Sequence, residues 1–97
     1  MAKENIDFMM KYVRKYISGK TKRFNFDLDF KYHLLERWDK MYNEDKALAR
    51  AFRHYIADKG FEEGEELSDS KYKQLIKRQY ENVERFIAKR GSVDKAK

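Results

Sequence analysis

Residues 68–89 read SDSKYKQLIKRQYENVERFIAK and carry the clearest structural signal in the chain. The apolar side chains return every three or four positions, which places them on one face of an α-helix. Ser68 precedes this run and can cap the helix, while Leu67 and Tyr72 have the spacing of a hydrophobic staple. The pattern predicts a helix over 68–89. Its apolar face consists of Tyr72, Leu75, Ile76, Tyr80, Val83, Phe86 and Ile87.

The same spacing near the start of the chain predicts a helix over 5–18. Asn5 is a suitable N-cap, and Gly19 follows the last apolar residue, where a helix commonly ends in a left-handed residue. The predicted apolar face consists of Ile6, Met9, Met10, Val13 and Ile17. Phe8 and Tyr12 widen this apolar arc beyond the needs of one core contact, which indicates a second buried surface.

Residues 20–30 permit two interpretations. The alternation of Phe24, Phe26, Leu28 and Phe30 with polar residues has the period of a half-buried strand. No second alternating run exists with which such a strand could pair. We therefore expect an extended linker over 20–26 and a helix over 27–43, capped by Asn25 or Asp27. Its apolar face is expected to be Phe30, Leu34, Trp38, Met41 and Tyr42.

A helix over 45–59 is predicted next, with Asp45 as its N-cap and Gly60 at its end. Its apolar stripe consists of Leu48, Ala51, Phe52, Tyr55 and Ile56. Nothing at 43–45 forbids a single long bent helix over 27–59, so that alternative stays open. An acidic loop over 61–67 then leads to the last helix.

These elements predict an all-α protein, a small bundle of about four amphipathic helices around one core. A chain of 97 residues is expected to form a single domain over 1–97, because two separate cores would each be too small. The polar segment 91–97 is expected to be a frayed tail. The chain has no cysteine, no signal-peptide pattern and no apolar run of membrane-spanning length, which indicates a cytoplasmic protein without membrane contact.

Candidate catalytic motifs fail on their spacing. Gly19–Thr21 matches the end of a phosphate-binding loop, but Arg14 occupies the position of the required first glycine. Arg50 and His54 resemble the arginine–histidine pairs of some all-helical ribonucleases, which place four to six residues between the two. Here three residues separate them. His33, the other histidine, lies at the flank of a predicted apolar stripe and is expected to be structural.

Candidate metal sites fail as well. Asp27, Asp29 and Lys31 lack the paired strands on which nucleases hold two carboxylates against a divalent ion. A calcium loop counted from Asp58 would need glycine at the position of Glu63. We therefore expect a non-enzymatic protein without a metal or a cofactor.

The net charge of +6 is unevenly distributed along the chain. Residues 1–23 carry seven basic and two acidic groups, 61–70 carry five acids and no base, and 71–97 carry nine basic and three acidic groups. Rows of basic side chains bind phosphate backbones because each neutralised phosphate releases counterions. The predicted nucleic-acid-binding residues are Lys11, Arg14, Lys15, Lys20, Lys22, Arg23, Lys71, Arg78, Arg85 and Lys89.

The first hypothesis for function is thus a small basic module that binds the nucleic-acid backbone or a nucleoprotein or host protein partner. In size, lysine and tyrosine content and lack of cysteine, the chain resembles small accessory proteins of phages and mobile elements in low-GC bacteria. The alternative is an inhibitor or immunity-type helical bundle that contacts only protein. Its expected interaction residues are Phe8, Tyr12, Glu62, Glu63, Glu65 and Glu66.

Overall fold

The structure, a computed structural model, describes residues 3–96, with side chains described as far as Arg90. The elements are α1 (Glu4–Ile17), α2 (Arg23–Glu44), α3 (Lys46–Phe52), a π-helix (Arg53–Glu62) and α4 (Asp69–Ala96). No strand occurs among these residues, so the predicted all-α bundle is confirmed. None of the described helices combines the length and apolar character needed to cross a membrane.

The start of α1 is capped by a side chain from α2. The Glu44 carboxylate accepts hydrogen bonds from the backbone N–H groups of Asn5 at 2.8 Å and Ile6 at 2.9 Å. The Asn5 amide also donates to Glu44 at 2.7 Å and accepts from the Arg37 guanidinium at 2.8 Å. The predicted N-cap role of Asn5 is wrong, because Asn5 lies inside the first turn and the capping oxygens come from another helix.

Residues 23–30 form the first two turns of α2. Three predictions for this region are therefore wrong: the linker over 20–26, the strand alternative, and the capping by Asn25 or Asp27. The alternation arises because two pairs of apolar residues interleave. Phe26 and Phe30 are four positions apart, and so are Phe24 and Leu28, which begin two positions earlier. Phe26 and Phe30 are fully buried, whereas Phe24 is 74% and Leu28 64% exposed. One helix with two apolar faces thus imitates the period of a strand.

Asp45 separates α2 from α3, so the long bent helix over 27–59 does not form. Its backbone is extended, with φ of −163° and ψ of 97°. Its carboxylate accepts from the backbone N–H of Leu48 at 3.1 Å, which confirms the predicted N-cap. The same side chain binds Lys3 Nζ at 3.0 Å and Arg90 at 2.9 Å. This one carboxylate therefore connects the start of the chain, the middle and the end of the described side chains.

The predicted end of the third helix at Gly60 is wrong, because the π-helix continues through it to Glu62. A Cβ atom at Gly60 would lie 2.9 Å from Ile76 Cδ1, so the glycine permits the close approach of α4. Phe52 and Ile56 are each followed five positions later by a buried or half-buried apolar residue. This spacing suits the wider π-helical turn, whose hydrogen bonds join residues five apart.

The last helix begins as predicted. Ser68 Oγ accepts a hydrogen bond from the backbone N–H of Lys71 at 3.3 Å. The helix extends beyond the predicted end at Lys89 to Ala96, passing through Gly91 without a break. The side chains of 91–96 and all of Lys97 lie outside the described part of the chain, and the frayed tail expected over 91–97 stays a prediction.

An aromatic cluster joins α1, α2 and α4 in the core. The Tyr16 and Phe26 rings stack with centroids 4.5 Å apart, and the Tyr72 ring lies 5.8 Å from that of Tyr16. Tyr16 is buried although the spacing of α1 did not assign it to the core, whereas Ile87 is 41% exposed despite its predicted core position. Each aromatic ring buries a large apolar area, which allows a short chain to form one core.

Candidate nucleic-acid interface

The loop that follows α1 is fixed by its own backbone. Gly19 adopts a φ of +87°, which reverses the chain at a position that favours glycine. The N–H groups of Lys20 and Thr21 both donate to the carbonyl of Lys15, at 2.9 and 3.2 Å. The lysines of this loop are exposed next to the carboxyl end of α1, where the helix dipole favours positive charge.

Two adjoining grooves run between this region and α4. The first has a volume of about 500 Å³ and lies between the second half of α1 and the middle of α4. The second has a volume of about 840 Å³ and lies between the loop and the start of α4. Both are lined by Ile17 and Lys77, so we treat them as one surface, the basic groove.

The basic groove collects positive charge from α1, the loop after it, the first residue of α2, and α4. Eight basic and three acidic side chains line it. The basic ones are Lys11, Arg14, Lys15, Lys20, Lys22, Arg23, Lys73 and Lys77, and the acidic ones are Asp69, Glu81 and Glu84. All six residues of the predicted first cluster therefore share a surface with two lysines of α4 that were not predicted. A concave surface lined by one sign of charge concentrates its electrostatic field.

Contacts within the molecule hold two of these cations in place. The guanidinium of Arg14 donates to the hydroxyl of Tyr80 at 2.8 Å, which connects α1 to α4. Lys73 Nζ lies 5.3 Å from the centroid of the Tyr16 ring. Side chains that are already ordered lose less entropy when they bind a ligand.

Arg23 lines the basic groove but is largely occupied by structural contacts. Its guanidinium donates to the backbone carbonyls of Leu67 at 2.6 Å and Glu65 at 3.0 Å, and to the Asp69 carboxylate at 3.0 Å. It also lies 4.1 Å from the centroid of the Tyr72 ring. Arg23 thus fastens the loop before α4 to the start of α2, and few of its donors remain for a ligand.

The basic row predicted on α4 lies on a different surface. Lys71, Arg78, Arg85 and Lys89 are all exposed. At about 100° per residue, they lie on the opposite flank of α4 from Lys73 and Lys77, roughly 120° around the helix. The ten predicted residues are therefore divided between two surfaces. Both basic flanks of α4 are visible in the sequence. Which of the two flanks lies next to α1 depends on tertiary packing, so the sequence alone does not reveal it.

Tyr12 is half-buried and packs against α2. Its hydroxyl donates to the carbonyl of Phe26 at 2.9 Å, and its ring stacks on the Phe26 ring at 5.3 Å. Burial, with the nearby charges of Asp29 and Asp27, raises the pKa of Tyr12 to about 12. The Phe8 ring, 36% exposed, lies under the Arg37 guanidinium at 3.7 Å. The second apolar surface of α1 is thus covered mainly by α2.

The acidic residues before α4 lie apart from Phe8. Glu62, Glu63, Glu65 and Glu66 are all exposed, and Lys59 pairs with Glu63 at 3.5 Å. Glu62 and Glu65 line a groove with Asp27 and Lys31, on the flank of α2 opposite to the one that Phe8 and Arg37 share. The two halves of the predicted protein-interaction set do not form one patch.

A further exposed feature on α2 was not predicted. Phe24, Leu28, Tyr32 and Leu35 are each more than 60% exposed and follow one another along the outer face of the helix. We call this set the outer stripe. Its spacing of four, four and three is visible in the sequence, but the stripe is recognisable only once the helix is known to begin at Arg23.

The residues considered for catalysis are engaged in ordinary contacts. Arg50 donates to the Tyr42 hydroxyl at 3.1 Å, and the His54 ring lies edge-on to Tyr55 at 4.9 Å. His33 is half-buried with its ring 5.0 Å from that of Tyr12, and its buried Nδ1 has no hydrogen-bond partner among the described residues, so the structural role expected for it stays a prediction. Among the described residues, no three His, Cys, Asp or Glu side chains are placed to hold a metal ion.

Comparison with known proteins gives no relative: no protein-family model, curated protein or solved structure shows a significant match to this chain.

Proposed function

We propose that this chain is a non-enzymatic nucleic-acid-binding module and that the basic groove contacts the phosphate backbone. The observation that carries the proposal is the convergence of eight basic side chains from α1, the 18–22 loop, the first residue of α2 and α4, against three acidic ones. Such a surface attracts a polyanion mainly through counterion release. Sequence preference is not expected, because lysines at a backbone carry no information about the bases.

The acids restrict where the backbone would lie. Glu81 and Glu84 line the groove only where α4 passes the second half of α1, beyond Tyr80. The other end is lined by Lys22, Lys73 and Lys77, with Asp69 already bound to Arg23. We therefore expect phosphates to contact Lys22, Lys73 and Lys77, with Lys15 and Lys20 contributing from the adjoining groove.

The salt dependence of binding tests this proposal. Five neutralised phosphates of a duplex give a slope of about −4.5 for log K against log salt concentration. Fluorescence anisotropy with labelled duplex DNA, single-stranded DNA and RNA across a salt series measures this slope. Absence of binding to all three at low salt would overturn the proposal.

A pair of matched variants tests whether nucleic acid binds in the basic groove. Lys73→Glu/Lys77→Glu reverses two charges in the basic groove, whereas Lys71→Glu/Arg78→Glu reverses two charges on the opposite flank of the same helix. We expect the first variant to weaken binding by at least about a hundredfold and to reduce the slope by about two. The second should retain most of the affinity. Equal losses in both variants would refute the assignment to the groove.

The alternative, a protein-binding bundle centred on Phe8 and Tyr12, has less support. The Tyr12 ring is packed on Phe26 and Phe30, and its hydroxyl is already bonded. The acidic residues expected to join these aromatics lie on another flank of α2.

A further inference from the structure

The outer stripe is an apolar surface with no partner within the described chain. Phe24 is 74% exposed, Leu28 64%, Tyr32 61% and Leu35 77%. They project away from the bundle because Phe26, Phe30 and Met41, on the opposite side of α2, are fully buried. Single exposed apolar residues are common, but a continuous row of four large ones indicates an interaction surface.

An apolar groove lies directly beside the stripe. It has a volume of about 280 Å³ between α2 and the π-helix, and its apolar lining includes Leu34, Trp38 and Phe61. Leu35 belongs to both features, because it lines the groove and continues the row of the stripe. A ridge next to a groove on one surface can pack against the same surface of a second molecule.

The charges beside the stripe disfavour two other occupants. Asp27, Asp29, Glu36 and Asp39 lie along α2 near the stripe, as do Lys31 and Lys40, and the adjoining groove adds Asp58, Glu62 and Arg53. Six acids against three bases repel a nucleic-acid backbone and an anionic lipid surface. Both signs of charge are present, so the face does not repel a copy of itself as a uniformly charged face would.

We propose that a second copy of this chain covers the outer stripe, with the two α2 helices antiparallel about a twofold axis. The spacing fits such a pair: Phe24 of one copy lies opposite Leu35 of the other when Leu28 lies opposite Tyr32. Each of the four residues then meets an apolar side chain of the second copy. In a twofold interface every contact occurs twice, so four residues supply four pairs.

The area is sufficient for a dimer. The four exposed side chains present roughly 500 Å² per copy, so the pair buries roughly 1,000 Å², which reaches the lower limit for a specific interface. Trp38 and Phe61 beside the stripe add to this area. The expected product is a reversible dimer whose dissociation constant lies in about the micromolar range.

Sedimentation equilibrium without nucleic acid tests the dimer. The expected mass rises with concentration from 11.9 kDa towards twice that value. Leu28→Glu should weaken association at least about tenfold, because each dimer then buries two unpaired charges. Its matched control is Ala47→Glu, which adds the same charge at an exposed position of α3. Circular dichroism should show unchanged helicity in both variants, since both positions are exposed.

Cross-linking tests the antiparallel register. The chain has no cysteine, so introduced cysteines are the only reactive thiols. Oxidation of an equimolar mixture of Phe24→Cys and Leu35→Cys should give a heterodimeric disulfide, because the proposed pairing brings these positions together. Phe24→Cys alone should remain uncross-linked. Efficient cross-linking of Phe24→Cys to itself, a monomer at millimolar concentration, or a dimer insensitive to Leu28→Glu would overturn the proposal. Phe24 also lines the basic groove, but none of these measurements uses nucleic acid, so the failure of one proposal leaves the other standing.

Discussion

Replacement of Glu44 by glutamine should destabilise the protein by removing the charge that caps α1. The Glu44 carboxylate accepts two backbone N–H groups of the first turn and the Asn5 side chain, and it faces Arg37. Hydrogen bonds to a charged group contribute about 1.5–3 kcal/mol each, whereas neutral ones contribute about 1 kcal/mol. Glutamine keeps one acceptor oxygen, so we expect a loss of about 2 kcal/mol in the free energy of unfolding.

The loss should depend on pH in a defined direction. Burial opposes ionisation of Glu44, but the hydrogen bonds from the backbone of Asn5 and Ile6 outweigh it and hold its pKa below the usual range. The stabilisation is therefore fully present above the unfolded pKa of about 4.3 and is lost as the pH falls through the lower folded pKa. Wild type and Glu44→Gln should differ most at neutral pH and converge in acid.

Urea unfolding followed by circular dichroism measures this difference. A matched control is Asp39→Asn, which removes one carboxylate charge from an exposed position of the same helix. For a chain of this size, 2 kcal/mol corresponds to a decrease of roughly 8–16 °C in Tm. If Glu44→Gln loses no more stability than Asp39→Asn at pH 7, or if the loss persists undiminished at pH 3, the capping argument is refuted.

Three further predictions concern other contacts. Arg23→Lys should lower the free energy of unfolding by about 2 kcal/mol in urea titrations, because an ammonium cannot replace the fork of donors that reaches Leu67, Glu65 and Asp69; unchanged stability would contradict this role. Gly64→Ala should cost about 1–3 kcal/mol in thermal unfolding, because the added Cβ would lie 2.6 Å from the Tyr72 ring and 2.8 Å from the carbonyl of Gly60; a rise in Tm would contradict the predicted clash. In ultraviolet titration the phenol of Tyr12 should ionise only near pH 12, and stability should decline as the pH rises from about 10, where unfolded tyrosine ionises. Burial also raises the pKa of Tyr16 and Tyr72, so Tyr12→Phe should reduce the absorbance change near pH 12 by the share of one phenol without abolishing late ionisation; a spectrum unaltered by that substitution would contradict the assignment.

The parts of the fold that were predictable are those with a single apolar face. The helix after Ser68 and the one before Gly19 follow one stripe each, and local residues mark Ser68 and Gly19 as boundaries. The N-cap formed by Asp45 is equally local, because its carboxylate accepts a hydrogen bond from a backbone N–H only three residues away. These features require no knowledge of tertiary contacts.

The start of α2 could not be predicted because its sequence serves two surfaces. Phe26 and Phe30 face the core, while Phe24 and Leu28 face outward. Together the two sets of apolar residues alternate with polar ones, which is the period of a strand. No side chain caps this helix, so local capping chemistry gives no signal either. The cap of α1 was missed for a related reason, since Glu44 is 39 residues away from Asn5 along the chain.

The candidate site was predictable in part. The cluster of cations around Lys15 and Lys20 follows from the sequence alone. Its partners on α4, Lys73 and Lys77, depend on which flank of that helix meets α1. The positions of charges along one helix can be read from its sequence. Which helix faces pack against each other depends on the folded bundle and cannot be read in the same way.

The contacts of Asp45 have a consequence for how the molecule folds. Lys3 and Arg90 bind the same carboxylate oxygen, at 3.0 and 2.9 Å, although Asp45 lies near the middle of the chain. Both contacts close loops of more than forty residues, each of which costs chain entropy before the contact stabilises anything. They are therefore expected to form late in folding and to break together. In hydrogen exchange, the first turn of α1 and the segment of α4 around Arg90 should open as one cooperative unit despite their separation in sequence.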